Sequence, residues 1–319
     1  MTADATVAWD VRHAFRLQRF ELVGVAALVA VLSAAVVGLA GVLDATGYGA
    51  ACDPLAAQTP VACEAMGRRF YDLQSTWEPF TRGLLLAVPF IAAVLLGVPI
   101  VARELERGTS RLAWSLAPSR GRWFLARLLP VLAVMAVVGL VAGIALDRFA
   151  GATDPWTDPA RSFDGFGARG VVFAARVVFV FAIAVAAGAL IGRSLPALLV
   201  SIVVAAVAIS GGSWVHGKWL ATEAVLVADE SGAGVRGALY IDQRLRDPSG
   251  NVLTWDEAYA MIPPGDGQEW PPAGWTVMSL VVPPEDVPIA TAREVLALGG
   301  ATLVFLGVAA AAVGRRRPG

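Results

Sequence analysis

Two short glycine-containing motifs are the first candidates for chemistry in this chain of 319 residues. Gly165-Phe-Gly-Ala-Arg-Gly170 has the spacing of a dinucleotide-binding fingerprint, which needs a preceding strand and a βαβ unit. Gly211-Gly-Ser213, with His216 three residues later, could place a serine nucleophile beside a base. The first motif instead follows turn residues and precedes an apolar run, and the second has no histidine supplied by another apolar segment. We therefore predict that neither motif is functional and that the chain has no catalytic residue.

The two cysteines, Cys52 and Cys63, leave two possibilities open. A disulfide between them would close a short loop, worth about 3 kcal/mol if chain entropy is the main effect. The alternative is two free thiols. No metal site is predicted, because the two histidines, His13 and His216, are remote from both cysteines in the sequence.

A phosphate-binding loop of the form Gly-x4-Gly-Lys-Ser/Thr does not occur in the sequence, and the only lysine is Lys218. The chain is therefore not expected to bind ATP, and we predict no cofactor within it.

The elements that carry these residues are strongly apolar. Hydrophobic residues make up 57% of the chain, charged residues make up 16%, and the mean hydropathy is +0.65. A helix needs about 20 apolar residues to cross a bilayer. Six runs satisfy this or come close, and they predict an all-α polytopic membrane protein: residues 22–43, 83–102, 128–146, 171–192, 195–212 and 295–313. We number them spans 1 to 6, and the short segment 192–194 predicts a tight hairpin between spans 4 and 5.

The distribution of charge predicts the orientation, because basic residues are retained on the cytoplasmic side of a membrane. With the N-terminus inside, 13 basic residues and only five acidic residues fall on the cytoplasmic side. Both termini are therefore predicted to be cytoplasmic, in a cell inner (plasma) membrane. Residues 1–21 have an amphipathic pattern that predicts a cytoplasmic interfacial helix. The alternative is a simple extension of span 1.

Residues 213–294 form the longest segment between spans, and we predict a small mixed α/β external cap there. The expected elements are a helix at His216–Ala228, strands at Ala238–Leu245 and Val252–Trp255 joined by a turn at 247–250, a helical turn at Asp256–Met261, and an irregular proline-rich remainder.

Arg176 is one of the few ionisable residues within the predicted spans. It is expected to extend toward the outer surface or to pair with an acid such as Glu294. An ion-driven transporter would normally bury several carboxylates near the midplane, and the sequence does not provide them. This predicts that any transport is energised from outside the chain and suits an amphipathic cargo.

The charged segment 103–127 connects spans 2 and 3. Gly108-Thr109 can end the helix of span 2 and cap another. Residues 112–116 have the pattern of a short amphipathic helix on the membrane face, which Pro118 would end. Such a helix could receive mechanical force from a soluble partner. The alternative is a structural loop with an ordinary charged face.

This segment resembles the ABC-2 family of exporter permeases. That family has a Glu-x-Glu-x-Gly-Thr stretch after its second span, then a leucine-rich helix, a Pro-Ser-Arg sequence and a basic residue that opens the third span. The matching residues are Glu104, Glu106, Gly108, Thr109, Leu112, Leu116, Pro118, Ser119, Arg120 and Arg127. The layout of six spans, with the largest loop between spans 5 and 6, is also similar.

The resemblance implies a coupling helix at about 104–121, seated in a groove of a separate nucleotide-binding ATPase subunit. ATP and Mg would belong to that partner, so this chain would be a transport subunit and not an enzyme. A second permease subunit, identical or related, would complete the membrane unit, and no nucleic acid is implied. The residues implied in coupling are Glu104, Glu106, Arg107, Gly108, Thr109, Leu112, Leu116, Pro118, Ser119 and Arg120.

The function expected from this resemblance is export of an amphipathic lipid, peptide or antibiotic-like substrate. The alternative is a stand-alone membrane scaffold or sensor whose external cap binds a ligand. The expected domains are the interfacial helix at 1–21, spans 1 to 5 at 22–212, the cap at 213–294, and span 6 with a basic tail at 295–319.

Overall fold

The computed structural model describes residues 3–53, 61–109, 119–228, 235–261, 271 and 273–316, with side chains from residue 18 onward except that of Thr81. Within these ranges, six helices are long and apolar enough to cross a membrane. They are Gln18–Ala51, Val61–Glu106, Arg120–Thr153, Gly170–Ile191, Ser194–Thr222 and Pro284–Arg315. Each contains one of the six predicted runs, so the prediction of a mostly helical multi-pass membrane protein is confirmed.

The helices and strands follow in a simple order along the chain. The helices are α1 (Ala3–Asp44), α2 (Tyr48–Ala51), α3 (Val61–Gly97), α4 (Pro99–Glu106), α5 (Arg120–Thr153), α6 (Gly170–Ile191), α7 (Ser194–Thr222), α8 (Trp255–Met261) and α9 (Val287–Arg315). The strands are β1 (Val225–Ala228), β2 (Leu239–Arg246), β3 (Val252–Thr254) and β4 (Thr276–Val282). Two short 3-10 helices lie at Pro159–Arg161 and Pro284–Asp286.

Helix α6 lies at the centre of the bundle and packs against α3, α4, α5, α7 and α9. Small residues allow this, because helices in a membrane approach closely where they carry glycine and alanine. A Cβ added at Gly188 would lie 2.5 Å from the carbonyl oxygen of Val98, and one at Gly97 would lie 2.8 Å from the Cβ of Ala184. Spans 2 and 4 are therefore in backbone contact.

Helix α3 begins much earlier than the sequence predicted. Residues 61–82 precede the apolar run 83–102 of span 2, and they form the first half of α3. This half contains charged residues such as Arg68 and Asp72, so it does not form a continuous apolar run. It is nevertheless amphipathic, since Phe70 is buried and Leu73 packs against the core. Apolar runs alone therefore do not reveal this half of the helix.

The first helix is uninterrupted from Ala3 to Asp44. Residues 6–20 are helical, as predicted, and they continue into span 1 without a break. The other predicted junction, the hairpin between spans 4 and 5, is confirmed. Gly192 ends α6 with a φ of 70°, which favours glycine, and α7 begins two residues later.

The cap contains a four-stranded antiparallel sheet in the order β1-β4-β2-β3. The predicted hairpin of β2 and β3 and the helical turn α8 are confirmed. Thr254 and Glu257 form a capping box at the start of α8: the Thr254 amide donates to Glu257 at 2.8 Å, and the Glu257 amide donates to the Thr254 hydroxyl at 3.2 Å. The bonds from Thr254 lower the pKa of the Glu257 carboxyl.

Two parts of the predicted cap were wrong. The helix expected at His216–Ala228 ends at Thr222, and Val225–Ala228 is strand β1. The proline-rich remainder contains β4, which was not predicted. Both errors have one cause: β1 and β4 pair with each other, with Val225 opposite Val281, and a partner so distant in sequence leaves no local pattern.

A disulfide joins Cys52 to Cys63, with a Cα–Cα distance of 5.8 Å, so the first alternative for the cysteines is confirmed. It connects the end of α2 to the start of α3. The indole of Trp156 donates a hydrogen bond of 2.7 Å to the Cys52 carbonyl, and Asp53 pairs with Arg236 at 2.5 Å. The disulfide therefore lies where the end of α2, the start of α3, the loop after α5 and the cap meet. We call this end of the molecule the cap side and the opposite end, which holds the 103–127 segment, the tail side.

Candidate functional site

The candidate site is the segment between spans 2 and 3 on the tail side. Helix α4 ends at Glu106, and Gly108 has a φ of 70°, a left-handed conformation that suits glycine at a helix end. The hydroxyl of Thr109 then donates to the Glu104 carboxylate, which folds the turn back on α4. The predicted helix end at Gly108-Thr109 is thus confirmed. Residues 110–118, which include Leu112, Leu116 and Pro118 of the expected coupling helix, lie outside the described residues.

Glu104 ties the two ends of this segment together. Its carboxylate accepts a hydrogen bond of 2.8 Å from Arg127, on the first turns of α5. Both side chains are about four-fifths buried, so solvent screens this pair less than a surface pair. The Arg127 guanidinium also lies over the ring of Trp123 at 4.8 Å. The 104–109 turn is therefore bonded directly to the first turns of span 3.

Glu106 connects the same turn to span 5. Its carboxylate accepts a hydrogen bond of 3.2 Å from the Ser194 amide and one of 2.6 Å from the Ser194 hydroxyl. Ser194 is the first residue of α7, where amide groups lack partners within the helix and favour a negative charge. Glu106 thus caps the helix of span 5 from outside that helix.

Arg120 connects the far end of the segment to the C-terminal residues. Its guanidinium donates to the Gly314 carbonyl at 3.3 Å and also to the carbonyl of Arg316. Arg316 in turn donates to the carbonyls of Ala189 and Leu190, at 2.9 and 2.8 Å, in the last turn of α6. Spans 3, 4 and 6 therefore meet at one chain of hydrogen bonds on the tail side.

The other described residues of the predicted coupling set are Arg107, Gly108 and Ser119, and they lie at the surface of this region. Ser119 is the N-cap of α5 and accepts a hydrogen bond of 3.2 Å from the Arg122 amide. Arg107 and Gly108 are exposed at the end of α4. The described residues of the predicted set therefore divide into residues that bind other parts of the chain (Glu104, Glu106, Thr109, Ser119 and Arg120) and residues that face outward (Arg107 and Gly108).

Two residues of this network, Ser194 and Arg316, were not on the predicted list. Ser194 follows Gly192, a helix terminator, so the sequence contained a helix-start signal there but no sign of its partner. Arg316 belongs to a basic tail that was read only as an orientation signal. Its bonds to the end of α6 depend on the packing of spans 4 and 6.

An apolar groove opens beside this network, between α1 and α3. It has a volume of about 590 Å³ and is lined by apolar residues such as Val25, Leu28, Ile91 and Leu95, with Glu21, Arg103 and Ser194 as its polar residues. A second cavity of about 210 Å³ adjoins it at Glu21 and Arg103 and is lined mostly by polar and charged residues. The groove can therefore hold an apolar chain with a polar group at one end.

A comparison with protein families gives one match, covering residues 22–216, to the family described as ABC-2 membrane transporter related. The chain belongs to this ABC-2 related family. The match includes spans 1 to 5 and the whole 103–127 segment, whereas most of the cap and span 6 lie beyond it. No curated protein and no solved structure matches the chain.

The two glycine-containing motifs, 165–170 and 211–213, have structural roles in this ABC-2 related chain. Gly165, Gly167 and Gly170 all have positive φ angles in the turns that lead into α6. The hydroxyl of Ser213 accepts a hydrogen bond of 3.1 Å from Arg176, and no bond between Ser213 and His216 is present among the described residues. The predicted pairing of Arg176 with Glu294 is confirmed, at 2.8 Å from Nε to Oε1.

Proposed function

We propose that this ABC-2 related chain is the transmembrane permease subunit of an ABC exporter. A separate nucleotide-binding subunit would carry ATP and Mg and would dock on the tail side, which is then the cytoplasmic side of the plasma membrane. A second permease subunit, identical or related, would complete the transport unit. The energy for transport would thus come from outside this chain.

The observation that carries this proposal is the bracing of the 103–127 segment to four other spans. Glu104 binds Arg127 at the start of span 3, and Glu106 binds Ser194 at the start of span 5. Arg120 reaches the end of span 6, whose Arg316 holds the end of span 4. A force applied to residues 107–119 by a partner would therefore move several spans together, which is what coupling to an ATPase requires.

The groove between α1 and α3 supports an amphipathic cargo. Its walls are apolar, and its charged residues Glu21 and Arg103 lie beside the tail-side cavity. A lipid, a peptide or an antibiotic-like compound with one polar end fits this distribution of surface. Export from the inner leaflet toward the cap side is the direction that we propose.

The exposed faces of spans 5 and 6 support a second permease subunit. Only 17% of the apolar window of span 5 and 11% of that of span 6 are buried within the chain, compared with 72% for span 4. Lipid can cover such faces, but a second subunit that packs against span 5 would also place the Glu106–Ser194 contact near the interface.

The deciding experiment is affinity purification of the tagged chain from native membranes in a mild detergent, followed by mass spectrometry. A stoichiometric P-loop ATPase is expected in the wild-type sample, and it should be lost when the exposed Arg107 is changed to Glu. The matched control is Arg246→Glu, a charge reversal on the cap strand β2, which should retain the ATPase. Recovery of the chain alone in every sample would reject the permease proposal and favour a membrane scaffold or sensor whose cap binds a ligand.

A further inference from the structure

Three spans and a loop meet at a cluster of polar side chains on the cap side, away from the proposed coupling segment. Arg176 comes from span 4, Ser213 and His216 from span 5, and Glu294 from span 6. Phe166, from the turns before span 4, stacks on the His216 ring, with 5.6 Å between ring centroids and 3° between ring planes. The side chains of Arg176, His216 and Glu294 are all at least 86% buried.

Only one of the two carboxylate oxygens of Glu294 has a hydrogen-bond partner among the described residues. Oε1 accepts hydrogen bonds from Arg176 Nε at 2.8 Å and Nη2 at 2.5 Å, whereas Oε2 is buried without a hydrogen-bond partner among the described residues. A buried acceptor without a donor costs roughly 1–3 kcal/mol, and more when it is charged. Native structures therefore rarely leave such an atom unused.

His216 offers a complementary atom. Its Nε2 is also buried without a hydrogen-bond partner in the described structure, and it lies 3.9 Å from Glu294 Oε2. This distance is too long for a hydrogen bond but close enough for an ion pair if the imidazole carries a proton on both nitrogens. Histidine is the side chain that ordinarily changes charge between pH 5 and 8.

Among the described residues, Glu294 is the only charged neighbour of His216 with an unused acceptor. Arg176 is a cation and already binds Glu294 and Ser213. Arg293 binds both oxygens of Glu223, at 2.6 and 2.8 Å, and lies over the ring of Trp219. These four groups, from spans 4, 5 and 6, are the charges that act on the imidazole.

We propose that His216 and Glu294 form a proton-binding pair that links the cap-side ends of spans 5 and 6. With protons on both ring nitrogens, His216 is a cation that donates from Nε2 to Glu294 Oε2, and this bond satisfies both buried atoms. Span 5 is otherwise held weakly to the rest of the chain, since most of its surface is exposed. The proton therefore joins span 5 to span 6, on the side opposite the coupling segment.

Nuclear magnetic resonance of histidine rings tests this proposal directly, because the full chain has only two histidines. In the His13→Gln background, the single remaining ring signal is expected to titrate between pH 5 and 8. Glu294→Gln should move the midpoint to lower pH by at least about one unit, a tenfold loss of proton affinity, since the neutral amide no longer attracts the imidazolium. Glu223→Gln is the matched control, because that carboxylate is already paired through both oxygens, and it should move the midpoint much less.

A ring signal that stays neutral down to pH 5 would overturn the proposal, and so would equal shifts in the two carboxylate variants. If Glu294→Gln does not fold, thermal unfolding of the wild type and His216→Gln supplies the second measurement. The difference in thermal midpoint between the wild type and His216→Gln should change as the pH falls from 8 to 5.5, since only an ionisable ring can form the pair. A difference that does not change with pH would also reject the pair. Neither measurement needs an ATPase, so failure here is distinct from failure of the permease proposal.

Discussion

At the scale of single residues, the acidic pair Glu104 and Glu106 has an internal function that its sequence motif does not reveal. Both carboxylates lie on α4, two residues apart, and they bind side chains of different spans. The resemblance to ABC-2 permeases suggested contacts with a partner ATPase. The contacts seen here are intramolecular, so these residues set the position of the segment that a partner would push.

Exchange of the charges of Glu104 and Arg127 tests this internal function. Either Glu104→Arg or Arg127→Glu alone should reduce cargo-stimulated ATP hydrolysis of the reconstituted complex several-fold, because two like charges then face each other in a partly buried site. The double exchange should recover much of the loss, since it restores an ion pair. ATP hydrolysis in proteoliposomes is the measurement.

The control for this exchange is the pair Arg148 and Asp44 on the cap side, where both side chains are more than two-fifths exposed. Exposed pairs contribute little, so Asp44→Asn should change hydrolysis slightly. A double exchange at 104 and 127 that behaves like the sum of its single variants would show that the pair does not act as a unit.

At the scale of helices, the contact between spans 2 and 4 depends on two glycines. Gly188→Ala should destabilise the protein by about 1–3 kcal/mol, because the added methyl group meets the Val98 carbonyl and forces the helices apart. Thermal unfolding in detergent measures the effect. Gly211→Ala is the matched control, since nothing lies within 4 Å of an added Cβ in the middle of α7. Equal destabilisation of the two variants would contradict close packing at Gly188.

The disulfide also acts between helices, because it joins the end of α2 to the start of α3. Loss of this bond in Cys52→Ser/Cys63→Ser should lower the free energy of unfolding by about 3 kcal/mol. A reducing agent should lower the thermal midpoint of the wild type and leave that of the double variant unchanged. A reducing agent that has the same effect on both proteins would show that it acts elsewhere.

At the scale of the whole molecule, the buried fraction differs strongly from one span to another. Span 4 is surrounded, whereas spans 5 and 6 present most of their apolar surface outward. This unevenness predicts that a second subunit covers part of the exposed face of span 5.

Disulfide cross-linking tests this expectation in a variant without the native cysteines. A cysteine at Val203 of span 5, which is 62% exposed, should give a covalent homodimer in membranes. A cysteine at Ile144 of span 3, which is 57% exposed, is the matched control and should stay monomeric. Equal cross-linking at the two positions would indicate random collision and not a specific interface. Cross-linking to a related chain instead would indicate a heterodimer.

The sequence by itself determined the features that depend on local composition. Apolar length fixed the six spans, the residues Gly192 to Ser194 marked the hairpin between spans 4 and 5, and the turn sequence at 247–250 marked the hairpin of β2 and β3. The pairing of Arg176 with Glu294 was also accessible, because a charge within an apolar run requires a partner and few were available.

Only the tertiary structure decided which distant residues meet. Strands β1 and β4 became strands because they pair across about 50 residues, Ser194 became the partner of Glu106, and Arg316 closed onto the end of span 4. The unpaired atoms of His216 and Glu294 likewise face each other only in the folded chain. Local periodicity reports how a segment meets apolar or polar surroundings, but it does not identify the segment that supplies those surroundings.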